Sequence, residues 1–201
     1  MIDSRDVNEL HPALKRGAAE LMSRMKRKGY DVIVTSSYRD NESQNALYEQ
    51  GRTKPGSIVT NARGGESVHN YRLAFDIAKN IKGQEYSDAN FFITAGNIWR
   101  EMGGEWGGDW VSFPDKPHMQ YTGGLSIANL KAGSKLANDA RMPWESVKEE
   151  NKLKIVYRGK TYIVHAFLIS DYYHVRLREF AEIFGAKAEY IEKDGSVILT
   201  D

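Results

Sequence analysis

The 201-residue sequence predicts an α+β protein. Three patterns carry that reading. Apolar residues recur at helical spacing through residues 12–28 and 88–102. Short apolar or β-branched runs at 31–35, 73–78 and 118–121 read as strands. Polar stretches rich in glycine and proline separate them.

Taken in order, the first helix places Leu14, Ala18, Leu21, Met22 and Met25 on one face, and Gly29 is a natural stop. Both methionines belong to the core on this reading. Asp31-Val-Ile-Val-Thr35 follows as a strand. Asn41 is expected to cap a short helix reaching Gln50, closed by Gly51. Residues 51–65 hold Pro55, Gly56 and the pair Gly64 and Gly65. They form a long loop, and long loops in compact domains tend to be functional. Residues 73–78 read as a buried strand and 83–87 as a turn. Asp88 is expected to cap the next helix, which buries Phe91, Phe92, Ala95, Ile98, Trp99 and Met102 and ends at Gly103 and Gly104. Residues 105–110, Glu-Trp-Gly-Gly-Asp-Trp, hold too much glycine for an ordinary strand. Their glycines suit close approach of backbone or ligand, and their tryptophans can wall a cleft. Residues 125–136 read as a helix broken near Gly133.

Residues 138–151, with Pro143 and many charges, read as a linker between a domain at 1–137 and a small one at 152–201. In the latter, 153–157 and 161–165 are expected strands around Arg158-Gly-Lys160. Leu177, Phe180, Ala181 and Phe184 give a short helical face ended by Gly185. Residues 187–191 and 197–200 flank the turn Lys193-Asp-Gly-Ser196. So short a segment makes a marginal core and is expected to dock or self-associate.

Composition excludes several classes. A net charge of +1 gives no strong pull toward nucleic acid or membrane. There are no cysteines, so disulfides and thiolate metal sites are excluded, and His, Asp and Glu remain as metal ligands. No stretch approaches the roughly 20 apolar residues of a membrane span, and the N-terminal residues lack the apolar run of a signal peptide.

The chemistry concentrates in two stretches. Residues 67–76, Ser-Val-His-Asn-Tyr-Arg-Leu-Ala-Phe-Asp, set His69 and Asp76 seven positions apart, and Asp115-Lys-Pro-His118 adds a second histidine and a spare carboxylate. Two imidazoles and a carboxylate suit a catalytic zinc ion that keeps a fourth position for water. The spare carboxylate can take the proton from that water. On a helix, seven positions span roughly 10 Å. His69 is therefore expected in a loop or at a strand edge, with Asp76 on the strand at 73–78. Pro117 argues against a helix at His118. A structural reading competes at each position: a lone histidine is more often a hydrogen-bonded scaffold group, and Asp115 could simply cap a turn. His165 and His174 read as structural.

Seven pieces run in order: Ser36-Ser-Tyr-Arg39, Gln44-Asn-Ala-Leu-Tyr48, Gln50-Gly-Arg-Thr-Lys-Pro-Gly56, Ser67-Val-His69-Asn-Tyr71, Asp76, Trp106-Gly-Gly-Asp-Trp110 and Asp115-Lys-Pro-His118. Over residues 10–125 this set resembles the L-alanyl-D-glutamate peptidases of phage endolysins, which are grouped with the zinc D-alanyl-D-alanine carboxypeptidases and dipeptidases. The resemblance implies a small antiparallel sheet flanked by helices. It implies Zn2+ held by His69, Asp76 and His118, with Asp115 as general base. Arg39 is expected to bind substrate or the developing oxyanion, with Ser36, Gln44, Tyr71 and Trp110 as further substrate contacts and Asp109 orienting a ligand or the loop. The implied partner is bacterial peptidoglycan. The implied location is the host cytoplasm until lysis, then the cell wall, with passage through a holin pore. Many relatives carry glycine where this chain has Arg72, which leaves the shape of the cleft open there. The C-terminal segment resembles the copper amine oxidase N-terminal-like domain, without implying copper. Two alternatives stand beside the endopeptidase: a D-Ala-D-Ala carboxypeptidase and a non-enzymatic zinc-binding module.

Overall fold

The computed structural model describes residues 1–146, 151–157, 160–169, 172–175, 181, 183–185, 187–191 and 196–200. The chain divides into two compact units, Met1–Trp144 and Glu145–Asp201.

In the first unit, α1 (Pro12–Arg27) starts on a proline, whose missing N–H costs nothing at a helix start, and stops before Gly29 at φ 82°. Its stripe Leu14, Ala18, Leu21 and Met25 is fully buried, while Met22 packs at the margin. Strand β1 (Val32–Ser36) leads to α2 (Asn41–Glu49). The cap of α2 is Asp40 rather than the expected Asn41: its carboxylate accepts from the Ser43 N–H at 2.7 Å. A 3₁₀ turn at Val68–Tyr71 precedes β2 (Ala74–Lys79). Helix α3 (Ala89–Glu101) is capped by Asp88, as its sequence suggests. Strand β3 (Glu105–Trp106) is only two residues long before a 3₁₀ turn at Gly107–Asp109, and β4 (His118–Gln120) follows.

Helix α4 (Ile127–Lys131) is shorter than the expected 125–136, because Gly133 turns the chain out of the helix at φ 93°. A last short helix, α5, spans Pro143–Ser146. In the segment read as a linker, residues 138, 139, 141 and 143 are exposed while Met142 packs inward, and 147–150 lie outside the described residues. Met142 is fully buried, and it and Trp99 crowd Gly17 so closely that a Cβ there would stand 2.6 Å from the Met142 sulfur.

The sheet is antiparallel throughout, in the order β1-β2-β4-β3. Side chains alternate across it. Phe75, Ile77 and Met119 join the core with the buried stripes of α1 and α3, and Phe75 meets Trp99 edge to face at 5.1 Å. Asp76 and His118 alternate with these residues and so belong to the opposite face. The core thus holds the strands rigidly while leaving their other face to build a site.

The second unit holds a three-stranded antiparallel sheet, β5 (Asn151–Tyr157), β6 (Lys160–Ile169) and β7 (Tyr172–Val175), and an antiparallel pair, β8 (Lys187–Ile191) and β9 (Ser196–Thr200). Strand β7 is an addition to the sequence reading. Leu177, Phe180 and most of the two expected turns lie outside the described residues; Ala181 and Ile183 are buried. No helix among the described residues is long and apolar enough to cross a membrane.

Candidate metal centre and its cleft

The sheet register assembles the centre. Asp76 pairs directly with His118 across β2 and β4, and with Ser36 across β1 and β2. Directly opposed residues project to the same side. His69 arrives from the 3₁₀ turn that precedes β2, a single turn rather than the loop or strand edge expected from sequence.

Three atoms converge. His69 Nε2 lies 3.2 Å from Asp76 Oδ1 and 3.2 Å from His118 Nδ1, and His118 Nδ1 lies 3.2 Å from Asp76 Oδ1. Both histidines are buried. Their partners fix their tautomers. His69 Nδ1 faces the Ser37 carbonyl oxygen at 2.8 Å, so it carries the proton and Nε2 presents a lone pair. His118 Nε2 faces Gln120 Oε1 at 3.0 Å, and the Gln120 amide nitrogen donates onward to Glu105 Oε2 at 3.0 Å. That orients the Gln120 oxygen toward His118, so His118 Nδ1 also presents a lone pair. In their neutral forms, then, two imidazoles and a carboxylate aim lone pairs at one point. Only a cation makes that arrangement favourable. Ligand atoms about 2.0–2.1 Å from a tetrahedral ion stand roughly 3.3 Å apart, which fits the three observed separations. His69, Asp76 and His118 are the one group of this kind among the described residues.

The electrostatics agree. Burial alone would raise the pKa of Asp76, but the charge of His69 and hydrogen bonds from both histidines outweigh it and hold the carboxyl far below its ordinary value. Burial would lower the pKa of His118; the hydrogen bond and charge of Asp76, with the charge of Asp115, raise it instead. Without a metal, a proton on His118 can stand in for the cation. A metal needs the neutral ring, so proton and metal compete. Metal affinity should fall by about tenfold per pH unit as the pH drops below that raised pKa. Competition titrations with a chromophoric chelator at pH 8 and pH 6 check this; equal affinity at both would contradict it.

Asp115 lines the same cleft as the three ligands. Its carboxyl pKa is raised, chiefly by burial and then by the charge of Asp76. Gly107 brings it in: the Asp115 N–H donates to the Gly107 carbonyl at 2.8 Å. A Cβ at Gly107 would stand 2.5 Å from the Asp115 carbonyl oxygen and 2.9 Å from His118 Cβ. This is the close approach that the glycine pair suggested. Trp110, 37% exposed, sets its ring 5.0 Å from that of His118 on the cleft wall. Asp109 is an exposed partner of Arg100 at 2.7 Å and so holds the loop, not a ligand.

Arg39 is buried. It donates to Gln44 Oε1 at 3.0 Å and Ser36 Oγ at 2.8 Å, and its Nη2 lies 3.6 Å from Asp76 Oδ2. It thereby steadies the carboxylate oxygen that faces away from the histidines. Ser36 and Arg39 both line the cleft. Two expected substrate contacts do not. Gln44 is fully buried, clamping Arg39 to the Ala62 carbonyl, and the Tyr71 hydroxyl donates to the Gly65 carbonyl at 2.8 Å. Both support the cleft from behind, because the helix and turn that carry them direct these side chains into the scaffold.

Arg72 adopts the left-handed region, φ 64°, where glycine is the unstrained choice. Its guanidinium reaches away from the centre to Glu9 and stacks on Tyr38 at 3.9 Å. Arg72→Gly should leave metal affinity within about twofold and change stability by no more than about 1 kcal/mol, as chelator competition and thermal melts would show.

The sequence reading missed the Ser37 carbonyl, Gln120 and Glu105 as supports of the two histidines. For Gln120 a signal existed: it sits two positions after His118 on a strand, on the same face.

An antiparallel sheet whose open face gathers two histidines and an aspartate makes a candidate metal centre. The chain belongs to the M15 peptidases, a family of metallopeptidases. The family model described as D-alanyl-D-alanine carboxypeptidase matches residues 60–121, which contain all three candidate ligands and Asp115. The chain is 42% identical to the peptidoglycan L-alanyl-D-glutamate endopeptidase CwlK of Bacillus subtilis, covering 56% of this chain and 74% of CwlK. It is 25% identical to the L-alanyl-D-glutamate peptidase of Listeria phage A118, covering 68% of this chain but 47% of that protein. Among solved structures, the L-Ala D-Glu endopeptidase ChiX of Serratia marcescens aligns at a TM-score of 0.38 with 17% identity, over 60% of this chain and 89% of ChiX.

Proposed function

We propose that this protein is a zinc peptidase that hydrolyses the L-Ala–D-Glu bond of peptidoglycan stem peptides at the cell wall. The observation that carries the chemistry is the convergence of three lone pairs, from His69, Asp76 and His118, beside the carboxylate of Asp115. The choice of bond rests on the 42% identity to CwlK.

His69, Asp76 and His118 would hold the ion. A zinc ion so held supplies Lewis acidity and lowers the pKa of water toward about 7. Asp115 takes the proton of the attacking water and returns it to the departing amine of D-Glu. Its raised pKa suits both halves of that task, since it is a stronger base than an exposed aspartate. Arg39 keeps Asp76 in place and sets positive charge on the cleft wall, where the carbonyl oxygen becomes negative. Trp110 offers a flat apolar surface to the peptide. Serving as a wall anchor or self-association module is the role we assign to the C-terminal unit, on its sequence resemblance alone.

Digestion of purified peptidoglycan tests the bond. New amino groups on D-Glu are the expected products. Released D-Ala instead would make the protein a carboxypeptidase, and no new termini would make it a binding module.

A further inference from the structure

The N-terminal strap brings a second, unused cation to the cleft. Ser4 pairs with the residues that follow β1: its N–H donates to the Tyr38 carbonyl at 2.8 Å, and its carbonyl accepts from the Ser37 N–H at 2.6 Å. Side chains alternate along such a segment, so Asp3 and Arg5 share the side opposite to Ser4. Both line the cleft with the candidate ligands. Asp3 is engaged, accepting from the Ser36 hydroxyl at 2.7 Å. Arg5 is exposed, and among the described residues nothing accepts a hydrogen bond from it or pairs with its charge.

The charge balance of the cleft gives this cation a purpose. Asp3, Glu66, Glu85 and Asp115 line it beside Asp76, whose charge a bound ion would offset; Asp3 pairs with Arg39 at 3.4 Å and Glu66 with Lys131 at 3.6 Å, which leaves Glu85 and Asp115 facing Arg5. Arg39 is committed to Gln44, Ser36, Asp3 and Asp76. The substrate is itself acidic beside the bond to be cut. D-Glutamate has two carboxyl groups; whichever one extends the peptide, the other stays free, a few bonds from the scissile nitrogen. An anion entering a cleft lined by carboxylates meets repulsion unless a cation receives it.

We propose that Arg5 binds the free carboxylate of D-Glu and so makes the enzyme selective for the acid over its carboxamide. This rests on the L-Ala–D-Glu reading above. Guanidinium and carboxylate match as paired donors and acceptors, which a carboxamide cannot reproduce.

The test uses the 201-residue, zinc-loaded chain and two synthetic stem peptides, one with the free carboxylate and one with a carboxamide in its place. The unaltered protein should favour the acid by about tenfold in kcat/KM, chiefly through KM, as a charged hydrogen bond contributes. Arg5→Ala should lose that preference while cleaving the carboxamide peptide as well as the unaltered protein does. Arg5→Lys should keep part of it. An undiminished preference in Arg5→Ala, an equal loss on both peptides, or no preference in the unaltered protein would overturn the assignment. Failure of the unaltered protein to cut either peptide would overturn the L-Ala–D-Glu reading itself, and the assignment with it.

Discussion

His118→Ala is expected to abolish metal retention and wall hydrolysis together. The substitution removes one of three lone pairs and leaves Asp76 without the partner directly across the sheet. Loss of a supporting residue around a metal commonly costs tenfold to a hundredfold in affinity or activity. Loss of a ligand should exceed that, so hydrolysis should fall by more than about a hundredfold. The fold should survive, because the core that carries β2 and β4 lies on the other face of the sheet, around Phe75 and Met119. Metal content by mass spectrometry, circular dichroism and turbidity clearing of wall suspensions separate the two effects. A variant that folds and holds no metal yet still lyses walls would remove the metal from the mechanism.

Asp115→Asn should behave differently. It keeps the shape of the side chain and the backbone turn that places it, including the Asp115 N–H to Gly107 bond. It removes only the base. General-base loss typically costs about 10²–10⁴ in rate, and that loss should fall on kcat with metal content unchanged. Asp115→Glu should recover part of it, since a longer carboxylate still takes the proton. Full activity in Asp115→Asn would return Asp115 to the turn-capping role that its Pro-Asp-Lys-Pro setting also allows.

The parts legible in the sequence are those that a repeating pattern or a rigid spacing encodes. The buried stripe of α1, the Asp88 cap of α3 and the strand that delivers Asp76 follow from periodicity and turn chemistry. His69, Asp76 and His118 could be singled out by residue type and by the ordered motifs around them, and the seven positions between the first two already kept His69 out of a helix shared with Asp76. What stayed hidden depends on backbone groups or on the direction of one side chain. Ser37 supports His69 through its carbonyl, which no residue identity reports. Gln44 and Tyr71 read as substrate contacts, yet the face of α2 and the turn after Ser67 direct them into the scaffold. Arg72 was ambiguous until its left-handed backbone pointed it toward Glu9 and Tyr38. The strap at residues 1–5 is too short to carry any periodic signal; its pairing with residues 37–40 arises from tertiary structure alone.

The most direct test follows zinc content and hydrolysis in one preparation. The protein is stripped with a chelator, then titrated with zinc while the release of new amino termini from purified peptidoglycan is measured. Activity should be absent after stripping and rise linearly to a plateau at one zinc per chain. Undiminished hydrolysis by the stripped protein, or full activity in the stripped His69→Ala variant, would contradict the account.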